Sequence, residues 1–119
     1  MSRDASYLLD ILLACRRILG FVAGREVPEF EQDEMLQSAV VRQFEIIGEA
    51  ARRVSPEFRA LHPEFPWNEM IGMRNRLVHE YSAVNLEQVW TSTRKDVPEL
   101  IRLLDTLLPE EGASGTGRA

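Results

Sequence analysis

Apolar residues return every three or four positions along the first stretch of the chain: Tyr7, Leu8, Leu9, Ile11, Leu12, Leu13, Cys15, Ile18 and Leu19, with Asp10, Arg16 and Arg17 mostly opposite. That is the period of an amphipathic helix. Gly20 to Gly24 supplies its stop, and Pro28 falls in a short loop. A second, longer helix is predicted from Glu31 to Val54. The acids Glu31, Asp33 and Glu34 sit at its positive end. Met35, Leu36, Ala39, Val40, Phe44, Ile46, Ile47, Ala50 and Ala51 give it a stripe wide enough to touch more than one neighbour. Ser55-Pro56-Glu57 reads as a cap, a first-turn proline and an acid, opening a short helix over Phe58 to Leu61. His62-Pro63 closes it, because the residue before a proline avoids the helical region. Pro66-Trp67 begins a fourth helix. Asn85-Leu86-Glu87-Gln88 begins the last one, which runs to about Leu108, and Pro98 inside it bends the axis or shifts the start of the regular part. No strand alternation, repeat or linker appears. The predicted fold is all-α, a bundle of four to five helices. Residues 1–110 form one domain, and residues 111–119, without an apolar anchor, form a flexible tail.

Composition narrows the picture. Hydrophobic residues make up 45% of the 119, enough for a packed core, but a domain this small gains stability by pairing. Fourteen basic and nineteen acidic side chains leave a formal charge of −5. A protein that coats nucleic acid leans the other way, so any contact with RNA is local, a basic pocket on an acidic body. The lone Cys15 lies in an apolar helical pattern and reads as core filler. One cysteine and two histidines make an intrachain zinc site improbable, and the scattered glycines build no phosphate loop. Neither a signal peptide nor a bilayer-length apolar run is present, so the expected location is the cytoplasm, with no membrane partner. Trp67 and Trp90 read as core and interface aromatics rather than base-stacking platforms.

The chemistry concentrates in residues 67–81. On a helical wheel Trp67, Met70, Ile71, Leu77 and Val78 share an apolar face, with Met73 at its edge and Arg74 in its middle. Tyr81 falls almost beneath Arg74. Asn75 and His79, four apart, are neighbours on the flank, and Gly72 beside them leaves room for a backbone or ligand to approach. An arginine cannot shed its charge, so an apolar setting requires a partner or a polar pocket. Two readings stand side by side. One is an arginine paired to Glu45 or Glu49 of the second helix. The other is an anion site in which the guanidinium fork meets phosphate oxygens. Glu45 and Glu49 themselves read as partners of Arg52, Arg53 or Arg74 rather than as a metal site.

Histidine as a residue type titrates near neutrality, so the group contains what metal-free RNA cleavage needs. His79 would accept the proton of a ribose 2′-hydroxyl, Arg74 would stabilise charge on the phosphoryl oxygens, and Asn75 would orient the imidazole or donate to phosphate. Tyr81 would bind phosphate or present its hydroxyl for modification. The stretch from Ile71 to Tyr81, IGMRNRLVHEY, resembles the signature of the HEPN superfamily, and its Arg-x-x-x-x-His-x-Tyr form is similar to the HepT ribonuclease toxins. The likeness extends to Glu45–Ala51 (EIIGEAA), His62–Trp67 (HPEFPW), Val84–Leu86, Val89-Trp90 and Asp96–Pro98, nearly the whole chain except the tail.

This resemblance implies a HEPN-like helical bundle working as a homodimer. It implies a metal-independent endoribonuclease toxin of a type II or VII-like toxin–antitoxin module, with no cofactor. Arg74 and His79 map to the catalytic positions, and Asn75 and Tyr81 to supporting phosphate contacts. It also implies a cognate MntA-type nucleotidyltransferase antitoxin that silences the toxin by adenylylating the motif tyrosine, here Tyr81, to O-AMP-tyrosine. The alternative is a non-catalytic subunit that binds substrate or nucleotide for a minimal nucleotidyltransferase. A structural dimer with Arg74 in a buried ion pair is a third reading.

Overall fold

The computed structural model describes residues 2–79 and 84–108. Every regular element within them is helical: α1 (Arg3–Val22), α2 (Val27–Gln32), α3 (Glu34–Arg53), α4 (Pro56–Leu61), α5 (Trp67–His79), α6 (Leu86–Arg94) and α7 (Asp96–Leu107). The four to five helices expected are present as seven among the described residues, because α2 is added before α3 and the last expected helix is divided into α6 and α7. The tail, residues 111–119, lies outside the described residues.

Helix α1 starts where the Ser2 hydroxyl accepts the Ala5 N–H at 3.1 Å. It buries Leu8, Ile11, Leu12, Cys15, Ile18 and Val22 along one stripe. Gly24 follows with φ +73°, a left-handed turn that any side chain would strain. The segment around Pro28, expected as loop, is helix α2. Pro28 occupies its first turn, where a missing N–H costs nothing, and the Glu29 carboxylate accepts the Glu26 N–H at 2.8 Å.

The single helix expected from Glu31 is therefore two helices. Asp33 leaves the helical region and caps α3 by accepting the Leu36 N–H at 3.0 Å. Gln37 ties the two pieces together, its amide donating to the Phe30 carbonyl at 2.9 Å.

Ser55 opens α4 as expected, its hydroxyl accepting from Phe58 N–H at 3.1 Å. It also anchors the start of the chain: the Ser55 N–H and hydroxyl donate to the two Asp4 carboxylate oxygens at 2.9 and 2.7 Å. Asn85 caps α6 through Gln88 N–H at 3.0 Å. The last expected helix is interrupted at Lys95, so Pro98 acts by shifting the regular part. In an unbroken helix its ring would meet the carbonyl of Arg94, whereas in the first turn of α7 it is tolerated.

The core lies where α1 meets α3 on one side and α7 on the other, with Leu12, Ile18, Val40, Ala51, Val97 and Leu104 excluded from solvent. Phe30 of α2 packs on Trp90 of α6 at 5.3 Å between ring centroids. Trp67 stacks on Phe65 at 4.9 Å, and its indole N–H donates to the His62 carbonyl at 2.9 Å. Both tryptophans are buried, as expected. The wide stripe of α3 does serve several neighbours, with α1, α2 and α5 all packed on it. Among the described residues no helix is long and apolar enough to cross a membrane.

Candidate active site on the α3–α5 seam

Two helices come together only as closely as the side chains between them allow. At the crossing of α3 and α5 the residue on α3 is Gly48. A Cβ there would lie 2.1 Å from Arg74 Cβ and 2.7 Å from the Met70 carbonyl oxygen. The bare backbone of Gly48 thus forms the floor on which the stem of Arg74 rests. The close approach anticipated at Gly72 occurs at Gly48 instead. A Cβ at Gly72 would meet only the Arg76 guanidinium, at 3.6 Å.

From this floor the Arg74 side chain turns out of the apolar face rather than into it. It keeps 27% of its surface exposed. Val78, one turn on, is 41% exposed, so the buried face of α5 is narrower than the wheel suggests and consists of Trp67, Met70 and Leu77. Around Arg74 runs a groove of about 320 Å³, lined by Tyr7 and Asp10 of α1, by Arg42, Glu45, Glu49 and Arg53 of α3, and by Val78.

The polar geometry decides what Arg74 is free to do. Its Nη1 donates to Asn75 Oδ1 at 3.0 Å, and its Nη2 lies 3.6 Å from Glu49 Oε1. Glu49 is already committed. It accepts from Arg52 Nη2 at 2.8 Å and Nε at 3.3 Å, and from Arg53 Nε at 2.9 Å. Hydrogen bonds from Arg52, and then Arg53, hold its carboxyl down at about 2. The contact from Arg74 is longer than a hydrogen bond and goes to an anion with two nearer partners. Glu45, the other expected partner, pairs with Arg42 at 3.6 Å. Among the described residues Arg74 is neither sealed in a buried ion pair nor fully compensated.

Asn75 and His79 are exposed on the flank of α5, one turn apart, with His79 at the helix end. His79 makes no hydrogen bond among the described residues. The structure thus joins Arg74 to Asn75 and sets His79 five residues on at the open end of the same helix. Tyr81 lies outside the described residues. Cys15 is fully buried and burial pushes its thiol up to about 12, so it is core and no nucleophile.

Gly48 and Tyr7 are the contributors that sequence reasoning missed, whereas Arg53 was expected as a partner of Glu49 and is one. A signal was present: Gly48, Ala50 and Ala51 are small residues in the middle of an otherwise bulky helix, the mark of a close crossing.

The family model described as "Ribonuclease HepT-like" matches residues 11–107. A protein of Caldanaerobacter subterraneus subsp. tengcongensis named "Putative RNase" is 39% identical over 111 residues, spanning 93% of this chain and 99% of its own. A "Probable ribonuclease HepT" of Thermococcus cleftensis is 40% identical over 94 residues, 79% of this chain and 86% of that one. A "Putative RNase" of Methanocaldococcus jannaschii is 37% identical over 95 residues, 80% and 87% of the two chains. No solved structure matches. The chain belongs to the HepT-like ribonuclease family.

Proposed function

We propose that this protein is a metal-independent endoribonuclease, the toxin of a toxin–antitoxin module, acting on cytoplasmic RNA. The observation that carries the reading is the incompletely paired guanidinium of Arg74, 27% exposed in an open groove on the same helix as His79. In the proposed reaction His79 takes the proton of a ribose 2′-hydroxyl. The freed oxygen attacks the adjacent phosphorus, and the bond from phosphorus to the 5′-oxygen breaks. A 2′,3′-cyclic phosphate and a 5′-hydroxyl result, the departing oxygen taking a proton from water while His79 returns its own to solvent. Arg74 gathers the charge that develops on the non-bridging oxygens, with Asn75 steadying its guanidinium from 3.0 Å. The step needs a proton acceptor and a fixed cation, and both come from side chains. The test is direct. Purified protein is expected to cut labelled RNA in the presence of chelator, giving cyclic-phosphate ends. Intact RNA that nonetheless binds would favour the non-catalytic alternative, in which Arg74 and His79 hold phosphate without turning it over.

The active species in this reading is a homodimer. Exposed Met35 and Val78 supply apolar surface, and small domains gain stability by association. Regulation by a partner nucleotidyltransferase also belongs to the reading, and the support for it is the motif tyrosine two residues after His79. The Tyr81 hydroxyl would attack the α-phosphorus of ATP, releasing pyrophosphate and leaving AMP on the ring oxygen. Co-expression with the partner is expected to raise the intact mass of this chain by whole AMP units, and Tyr81→Phe to abolish the increase. An increase that persists in Tyr81→Phe would place the modification elsewhere.

A further inference from the structure

The groove contains more cation than the proposed reaction uses. Arg42 and Arg53 of α3 face it together with Arg74 of α5, and Tyr7 of α1 sits against Arg53. Arg42 has its own carboxylate in Glu45 at 3.6 Å. Arg52, Arg53 and Arg74 share a single one, Glu49. Three guanidinium groups around one carboxylate leave a local positive excess, on a chain whose formal charge is −5. Asp10 also lines the groove, so the excess is confined to the arginines around Glu49, and that is where a phosphate finds its cations.

Arg53 and Arg74 approach Glu49 from different oxygens. Arg53 Nε is 2.9 Å from Oε2 and Arg74 Nη2 is 3.6 Å from Oε1. The two cations flank the carboxylate and lie within one groove. The Arg53 pair is also easy to exchange. Its side chain is 55% exposed, and an ion pair in that setting contributes little net stability.

We infer that Arg53, backed by Tyr7, is a second phosphate-binding subsite for single-stranded RNA beside Arg74, and that Glu49 holds the arginine cluster in place until phosphate replaces it. The inference rests on the nuclease reading for the identity of its ligand.

The test measures binding of an unstructured RNA oligonucleotide by fluorescence anisotropy at several salt concentrations, in the His79→Ala background so that the probe survives. Arg53→Gln is expected to weaken binding ~10-fold, the scale of one charge-assisted hydrogen bond. It is also expected to lower the slope of log affinity against log salt by about 0.7, one phosphate contact to a single strand. Glu49→Gln, which removes the competing carboxylate, is expected to tighten binding. A purely structural ion-pair cluster would be damaged by either change. Equal weakening by both variants, or an unchanged affinity and salt slope in Arg53→Gln, would overturn the subsite.

With His79 restored, Arg53→Gln is expected to raise KM ~10-fold while kcat holds, as loss of uniform binding requires. A fall in kcat at constant KM would also overturn it. The two readings fail separately. Binding that depends on Arg53 without any cleavage would remove the nuclease and keep the subsite. Cleavage with binding indifferent to Arg53 would do the reverse.

Discussion

His79→Ala is expected to reduce RNA cleavage by about three orders of magnitude, and Arg74→Met by a similar factor, consistent with loss of a general base and of a charge stabiliser. Methionine is the informative replacement at position 74. The Cβ and Cγ of Arg74 lie over Gly48, where a Cβ would come within 2.1 and 2.9 Å of them, so an unbranched side chain keeps that packing and removes only the charge. Melting temperature should therefore stay near that of the unaltered protein. In the proposed mechanism both groups act in one transition state, so the double variant should lose much less than the product of the single losses. The assay is single-turnover cleavage of a labelled RNA. Retention of most activity in either variant would remove that residue from the mechanism. Glu49 does not complicate the pH profile. Its carboxyl is held near 2, so it stays ionised across the range in which such an enzyme is assayed.

Gly48→Ala should unfold the protein far below the melting temperature of the parent, although in an ordinary helix the same change is stabilising by about 0.5–1 kcal/mol. The added methyl would lie 2.7 Å from the Met70 carbonyl oxygen and 2.1 Å from Arg74 Cβ. Neither atom is the end of a flexible side chain, so α3 and α5 must separate. Overpacking of this kind costs ~3 kcal/mol, which for a domain of this size lowers Tm by roughly 10–20 °C. Activity should fall with it, because the same seam aims Arg74 into the groove. Thermal unfolding followed by circular dichroism decides the matter, and a Tm equal to or above the parent's would show that the helices are not in contact through this residue.

Much of the fold was readable from local rules. The long stripes of α1 and α3, the Ser55 and Asn85 caps and the stop at His62-Pro63 each follow from one or two neighbouring residues. The missed boundaries involve competition between signals. Pro28 is compatible with loop or with a first helical turn, and the choice is made by Glu29 closing on Glu26 and by burial of Phe30. Asp33 suits the first turn of a long helix as well as a cap, and Gln37 reaching back to Phe30 decides for the cap.

The candidate residues were legible as residue types in a motif, and the likeness it carried pointed to the family that the chain belongs to. Orientation was not legible. A wheel places Arg74 on the apolar side of α5, but whether its stem can cross to the groove depends on a glycine 26 residues earlier. The partners of Glu49 were legible, since Arg52, Arg53 and Arg74 were all expected there, and the structure adds that it takes all three at once.

The clasp between Asp4 and Ser55 joins positions 51 residues apart. During synthesis the residue that fastens the first helix is joined 51 positions after its partner. At about 5–20 residues per second the interval is roughly 3–10 seconds, through which Leu8, Ile11, Leu12 and Ile18 have no α3 to cover them. Arg74 is made later still, so the groove takes shape only once most of the chain exists.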